Sequence, residues 1–263
     1  MFRSQSLILL FFVSFLFSAC GNSAAHRAAE KIQEARRLYS QGDTSLALQL
    51  LDSIPVFYRE EIAAKAEAQK FQQQIVSAII FRRQNTLDSV NRKVDLLKKD
   101  FHQEKTVYDR YTQYVYKRQD PTKRWNKSYL QVHLNEQGDL YLSSNYFGEK
   151  WLYHTAVRVY DGKLQAKTDK VPLKDVLNHH SDFMNTKWEK VTYRNGKDNG
   201  VIAFIAQHAD SPLKAVFLGQ RYYYILLEEY DKKAFREAWE LSALLKQQKQ
   251  LKNSIQKLQA SLR

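Results

Sequence analysis

Residues 59–118 read "REEIAAKAEAQKFQQQIVSAIIFRRQNTLDSVNRKVDLLKKDFHQEKTVYDRYTQYVYKR", without a proline or a glycine. Within the run Val76, Ile80, Arg83, Leu87, Val90, Val94, Leu97, Phe101, Glu104, Tyr108, Tyr111 and Val115 recur at steps of four and three, and only Arg83 and Glu104 are polar. That is the spacing of a heptad seam, and it predicts one long helix over 58–118. The end of the chain repeats the device: in "AWELSALLKQQKQLKNSIQKLQASLR" (238–263), Leu241, Leu244, Gln248, Leu251, Ile255, Leu258 and Leu262 step by three and four. A narrow apolar stripe on a polar helix needs a partner helix. The two seams are usable over similar lengths, so they can pair antiparallel within one chain. About 30 residues at 1.5 Å each give a stalk on the order of 45 Å. The alternative is homodimerisation, each seam pairing with a copy in another subunit. The expected fold class is therefore α+β: an N-terminal helical hairpin, a long antiparallel coiled-coil stalk formed by two distant helices, and an antiparallel β-sandwich or curved sheet inserted between them.

The inserted segment, 119–230, changes character. Pro121, Pro172, Pro212 and six of the eight glycines fall in it, with most of the aromatic residues. "SYLQVHLNEQGDLYLSSNYF" (128–147) reads as two strands around a Gln137–Gly138 turn, and "KWLYHTAVRVYDGK" (150–163) as a strand ending in an Asp161–Gly162 turn. "KWEKVTYRNGKDNGVIAFIAQH" (187–208) reads as a hairpin around Asn195–Gly196, and "LKAVFLGQRYYYILLEE" (213–229) as two strands broken at Gly219. About seven strands result, which fits an antiparallel sandwich or a strongly curved sheet.

Ahead of the long run, "AAHRAAEKIQEARRLYS" (24–40) is rich in alanine and charged helix formers, and "TSLALQLLDSIP" (44–55) follows after Gln41-Gly42-Asp43. Gly42 can close the first helix, Asp43 or Thr44 can cap the second, and Pro55 is expected to end it. The segment "LYSQGDTSLALQLLDSIP" resembles the middle of a tetratricopeptide repeat, with Gly42, Ala47 and Leu48 where that family packs its two helices. No second copy follows, so residues 20–57 form one repeat-like hairpin that must pack on its successor.

With 44% apolar residues, 16 tyrosines, 14 phenylalanines and 4 tryptophans, the chain has ample material for a core. It carries 41 basic against 28 acidic residues, a net charge of +13. The excess divides evenly between 20–126 and 127–263, so there is no basic arm, and nucleic acid is not an expected partner. A solvated lysine-rich surface is the plain reading; attraction to anionic head groups or acidic glycans is the other.

Residues 1–23 place Arg3 before an apolar run from Leu7 to Phe17, then Ser18, Ala19, the single cysteine Cys20, and Gly21. That is the layout of a secretory signal, and the run is too short for a hydrocarbon core of about 30 Å. Phe17-Ser18-Ala19-Cys20 resembles the lipobox of bacterial lipoproteins, departing from it at Phe17, where leucine is commonest. The resemblance implies a signal peptide over 1–19 and lipid attachment at Cys20. Each buried methylene contributes about 0.8 kcal/mol, so two or more acyl chains hold a protein durably on a membrane. Gly21 is not the aspartate that retains Gram-negative lipoproteins at the inner membrane, which implies the outer membrane of a Gram-negative cell envelope. With one cysteine the chain forms no internal disulfide.

The side chains that could carry chemistry form no recognisable motif. His179, His180 and Asp182 read as a polar loop, because adjacent histidines on a strand would face opposite sides. His133, His154 and His208 lie in expected strands and could meet at a metal only across a sheet. There is no Gly-x-Ser-x-Gly elbow, phosphate-cradling loop or His-Glu-x-x-His helix, and Glu228–Glu229 marks the approach to the C-terminal helix. The expectation is a non-enzymatic protein without metal or cofactor. The aromatic group around Tyr141–Tyr160 is either core or a binding face, since such rings stack on sugars and anchor protein partners. On a strand Trp151 and Tyr153 would share a face, and of Tyr222, Tyr223 and Tyr224 at least one must point away from the others. The candidate ligand-binding residues are Tyr146, Trp151, Tyr153 and Tyr223.

The run "VIAFIAQHADSPLKAVFLGQRYYYILLEEYDKKAFREAWELSALL" (201–245) resembles the C-terminal part of lipoproteins from gut-type Gram-negative bacteria, which carry a strand, a Gly-Gln/Lys-Arg/Lys-Tyr-Tyr turn and then a long helix. The resemblance implies architecture and supplies no catalytic residue. Residues 231–263 would be the second half of the stalk. Two functional expectations follow: a structural or adaptor module binding another envelope protein, or a binder of glycan or peptidoglycan fragments through the aromatics.

Overall fold

The computed structural model describes residues 22–262 apart from 108, 121, 123 and 184. The signal peptide and Cys20 lie outside the described residues. The fold is α+β, with five helices and two antiparallel sheets among the described residues. Contacts divide the chain into two compact units, one of residues up to Asn85 with Ser254–Arg263, the other Thr86–Asn253.

In the first unit, α1 (Asn22–Ser40) and α2 (Thr44–Phe57) form the expected hairpin. Gly42 closes α1 with φ +92°, and the Asp43 side chain accepts a bond from the Leu46 amide at 3.0 Å. Pro55 does not end α2. It lies within the last turn, where the loss of one amide donor is tolerated, and Tyr58 N still donates to Ile54 O. The hairpin buries Ile32, Ala35, Ala47, Leu51 and Ile54 against Ala68, Phe71 and Ile75 of α3 (Ile62–Lys98).

The helix expected over 58–118 stops at Lys98. Phe101–Glu104 is strand β1 and Gln113–Tyr116 is β2, paired antiparallel with Phe101 opposite Tyr116. The heptad positions Phe101, Tyr111 and Val115 therefore do not continue a helix. The run "YTQYVY" also alternates, and burying Tyr114 and Tyr116 against the sheet core wins over the helical period.

The second unit holds both sheets. A six-stranded sheet has the order β1-β2-β3-β4-β8-β7, with β3 Tyr129–Asn135, β4 Leu140–Gly148, β7 Asn178–Phe183 and β8 Thr186–Tyr193. A four-stranded sheet has the order β10-β9-β5-β6, with β5 Ala156–Tyr160, β6 Gln165–Lys167, β9 Lys214–Leu218 and β10 Tyr222–Leu226. Six of the seven expected strands are present, and β1, β2, β6 and β7 add to them. The seventh, "VIAFIAQ", is instead helix α4 (Val201–Gln207), entered through Gly200 at φ +81°. Its buried residues Val201, Ile202, Ile205 and Ala206 fall on one helical face, whereas a short continuous apolar run has no period that separates strand from helix. The expected loop at His179–His180 is likewise strand β7, paired with β8 along its whole length.

One apolar cluster takes Leu130, Leu142 and Val191 from the larger sheet and Val157, Val159 and Phe217 from the smaller. Helix α5 (Glu229–Ser261) adds Phe235, Ala238 and Leu241, and α3 adds Val90 and Val94. Gln248 Nε2 of α5 donates to Asn91 Oδ1 of α3 at 2.7 Å. The β3–β4 turn also rests on α5, with Ser242 Oγ donating to Gly138 O at 2.5 Å.

Candidate functional site

The ladder of β4 ends at Gly148, and residues 149–155 cross as a strap before β5 begins. Tyr146, the last inward residue of β4, is buried and its hydroxyl donates to Lys150 O at 2.8 Å. Its ring meets Tyr223 edge-on, with centroids 5.1 Å apart. Gly148 makes room for that ring, since a Cβ there would lie 2.2 Å from the Tyr146 hydroxyl. Trp151 and Tyr153 stack at 5.7 Å, although the strap is not a strand and Tyr153 has φ +52°. His180 of β7 packs on both rings, at 5.5 and 5.7 Å. Tyr146 thus belongs to the interior, whereas Trp151 and Tyr153 are half-buried and Tyr223 is exposed.

Glu189 holds the strap in place. Its carboxylate is fully buried and accepts from the amides of Leu152 (2.6 Å), Tyr153 (2.9 Å) and His154 (3.0 Å), and from His154 Nδ1 at 2.7 Å. His154 Nε2 lies 2.8 Å from Ser144 Oγ, which is also 3.3 Å from the Tyr193 hydroxyl. Burial holds His154 below the ordinary histidine range, against the pull of Glu189. Burial pushes Glu189 up, but the His154 side chain and the amide donors outweigh it and keep the carboxyl below its usual value. The neutral imidazole therefore donates from Nδ1 to Glu189 and accepts at Nε2 from Ser144. Serine, histidine and carboxylate stand in the order used by hydrolases, yet all three are closed off from solvent and Glu189 is engaged by three amides. The arrangement ties β4, β8 and the strap together as a satisfied polar network.

The histidines considered for a metal do not converge. His133 bonds Ser143 Oγ at 2.9 Å and stacks on Tyr141, while His208 Nδ1 bonds Phe204 O at 2.8 Å. Among the described residues no group of three His, Cys, Asp or Glu side chains is placed to hold a metal ion.

A second feature lies on the opposite face of the larger sheet. Trp188 stands on β8 between Phe147 and Ser181 in register, and the loop before β3 brings Trp125. Together with Tyr129 and Thr186 they line a groove of about 510 Å³. Trp125 is 70% and Trp188 46% exposed. Arg124 forms one wall and is itself neutralised, with Nη2 2.5 Å and Nη1 3.1 Å from the two carboxylate oxygens of buried Asp231. Its guanidinium lies 4.6 Å from the Tyr129 ring and 4.7 Å from the Tyr230 ring. Exposed Asn126 and Lys127 supply polar groups at the rim. Sequence reasoning placed Phe147 among the aromatics of interest but missed Trp125 and Trp188. The alternation in "KWEKVTY" does put Trp188 opposite in facing to Glu189 and Val191.

No protein-family model matches the chain, and no curated protein or solved structure is similar to it. No helix among the described residues is long and apolar enough to cross a membrane.

Proposed function

We propose that the chain is a non-enzymatic lipoprotein of the Gram-negative envelope, tethered through Cys20, and a binding protein whose β-bearing unit takes a glycan or peptidoglycan fragment. The observation that carries this reading is the open groove between Trp125 and Trp188. Two exposed indoles beside Phe147 suit the C–H faces of sugar rings, and Asn126, Ser181 and Thr186 suit their hydroxyls. Outer-membrane sorting rests on the lipobox and on Gly21. We read the two sheets as a sandwich, and α3 with α5 as an antiparallel pair; the Asn91–Gln248 bond and the contact of Arg83 with Ser254 support that pairing.

Titration calorimetry with peptidoglycan fragments and neutral oligosaccharides tests the binding. Trp188→Ala and Trp125→Ala should each weaken it about tenfold, the effect of about 1.4 kcal/mol at a contact centre. Absence of binding across a glycan array contradicts it. Mass spectrometry of Cys20→Ala tests the anchor, because lipid retained on the variant rules out attachment at that sulfur.

A second reading, an adaptor for another envelope protein, is favoured by Phe81 and Leu96, which stand exposed on α3. Crosslinking from envelope fractions that recovers no partner above background counts against it.

A further inference from the structure

Four strands lie at the sheet edges, and three of them are blunted. β6 has three residues and ends in Lys167, β1 ends in Gln103–Glu104, and β7 carries His179, His180 and Asp182. Short length and charge are the usual protection against pairing with another chain. The fourth, β10, reads Tyr-Tyr-Tyr-Ile-Leu, with Tyr222 62%, Tyr224 57% and Leu226 65% exposed. Among the described residues no strand lies beyond it.

The ladder fixes which backbone groups are free. β10 pairs antiparallel with β9, Tyr222 opposite Leu218 and Leu226 opposite Lys214, and just beyond the strand Leu227 N donates to Leu213 O at 2.9 Å. Bonded pairs alternate along an antiparallel ladder, so Tyr223 and Ile225 bond toward β9. Tyr222, Tyr224 and Leu226 then turn their amides and carbonyls outward.

From this we infer that β10 pairs with β10 of a second copy of the chain, antiparallel and centred on Tyr224. In that register Tyr222 faces Leu226 of the second copy and Tyr224 faces its counterpart, so every outward-turned residue meets another. The ends carry opposite charges as well: exposed Arg221 precedes β10 and exposed Glu228 follows it, and antiparallel pairing brings the end of one copy that carries Arg221 to the end of the other that carries Glu228. Two four-stranded sheets become one of eight, related by a two-fold axis. This contact differs from pairing through the heptad seams and does not depend on the groove.

Sedimentation of the detergent-solubilised full chain tests it. The expected result is a concentration-dependent dimer. Arg221→Glu and Glu228→Arg each weaken association, by about threefold since symmetry places like charges together at both ends of the ladder, and the double reversal restores it. Tyr224→Pro removes the central amide and gives a monomer; because it could disturb the sheet, its circular dichroism is compared with that of the charge variants, which leave the backbone unchanged. With Cys20→Ser, Tyr224→Cys forms a disulfide-linked dimer on oxidation, because facing Cα atoms in such a pair lie about 5.5 Å apart. A monomer at every concentration overturns the inference. So does a dimer indifferent to both Arg221→Glu and Tyr224→Pro, which would assign association to the helices.

Discussion

Nδ1 of His154 lies 2.7 Å from Oε2 of Glu189, and both side chains are sealed from solvent. The pair organises the strap that carries Trp151 and Tyr153, so its loss acts first on folding. Replacing the carboxylate turns an acceptor of four bonds into an amide whose nitrogen faces donors. Glu189→Gln should cost about 2–4 kcal/mol in urea unfolding, and Ser144→Ala about 1 kcal/mol. Equal stability of Glu189→Gln and the parent chain would show that the network contributes nothing.

The histidines give stability a definite pH dependence. Burial, with Lys190 and Arg194 nearby, pushes His133 down from its usual value to about 3. Its folded value lies below its unfolded one, so as pH falls the unfolded chain takes up the proton first. Stability is complete above about pH 6.5 and declines toward about pH 3, by up to about 1.4 kcal/mol per pH unit for one proton. His154 and Glu189, both depressed, act with the same sign. Melting temperature against pH checks this, and His133→Asn should shrink the slope between pH 6 and 4.

Gly138 combines φ +83° with a close approach to α5. A Cβ there would lie 2.9 Å from the Ser242 carbonyl oxygen and 3.0 Å from Lys246 Cγ. Gly138→Ala should lower stability by about 1–3 kcal/mol, from the left-handed backbone and the clash together. Gly162, with φ +106° and open space around it, carries only the backbone share and serves as the comparison. Thermal unfolding of the two variants separates the terms.

The Arg124–Asp231 pair joins the groove wall to the first turn of α5, and Gln119 Nε2 adds a bond to Asp231 Oδ1 at 2.9 Å. Arg124→Met leaves that carboxylate buried without its cation. The expected cost is about 3–5 kcal/mol, with part recovered in Arg124→Met/Asp231→Leu. A double-mutant cycle measures the coupling; additive effects would mean the two side chains act independently.

Local signals were legible. Gly42 and Asp43 marked the first turn, and the alternation of Tyr129, Gln131 and His133, and again of Leu140 and Leu142, around the Gln137–Gly138 turn marked β3 and β4. The end of α3 was not, because Phe101, Tyr111 and Val115 satisfy a heptad as readily as Tyr114 and Tyr116 satisfy a strand. Only pairing with β3 decides between them, and that partner is distant in sequence. Trp151 and Tyr153 were read as neighbours from a strand period, yet they stack on a strap shaped by Glu189. The groove was hidden for the same reason: the register of β4 with β8 sets Trp188 beside Phe147, and Trp125 joins them from the loop before β3, far away in sequence. Glu189 itself looks like an ordinary surface charge in "KWEKV".

Tryptophan fluorescence reads directly whether the groove binds a ring-bearing glycan. The chain has four tryptophans, and Trp151→Phe with Trp239→Phe leaves Trp125 and Trp188 as the reporters. Titration with peptidoglycan fragments should shift their emission to shorter wavelength and saturate, and Trp188→Phe should remove most of the change. Emission that stays constant across the titration, or a shift that Trp188→Phe leaves undiminished, would contradict it.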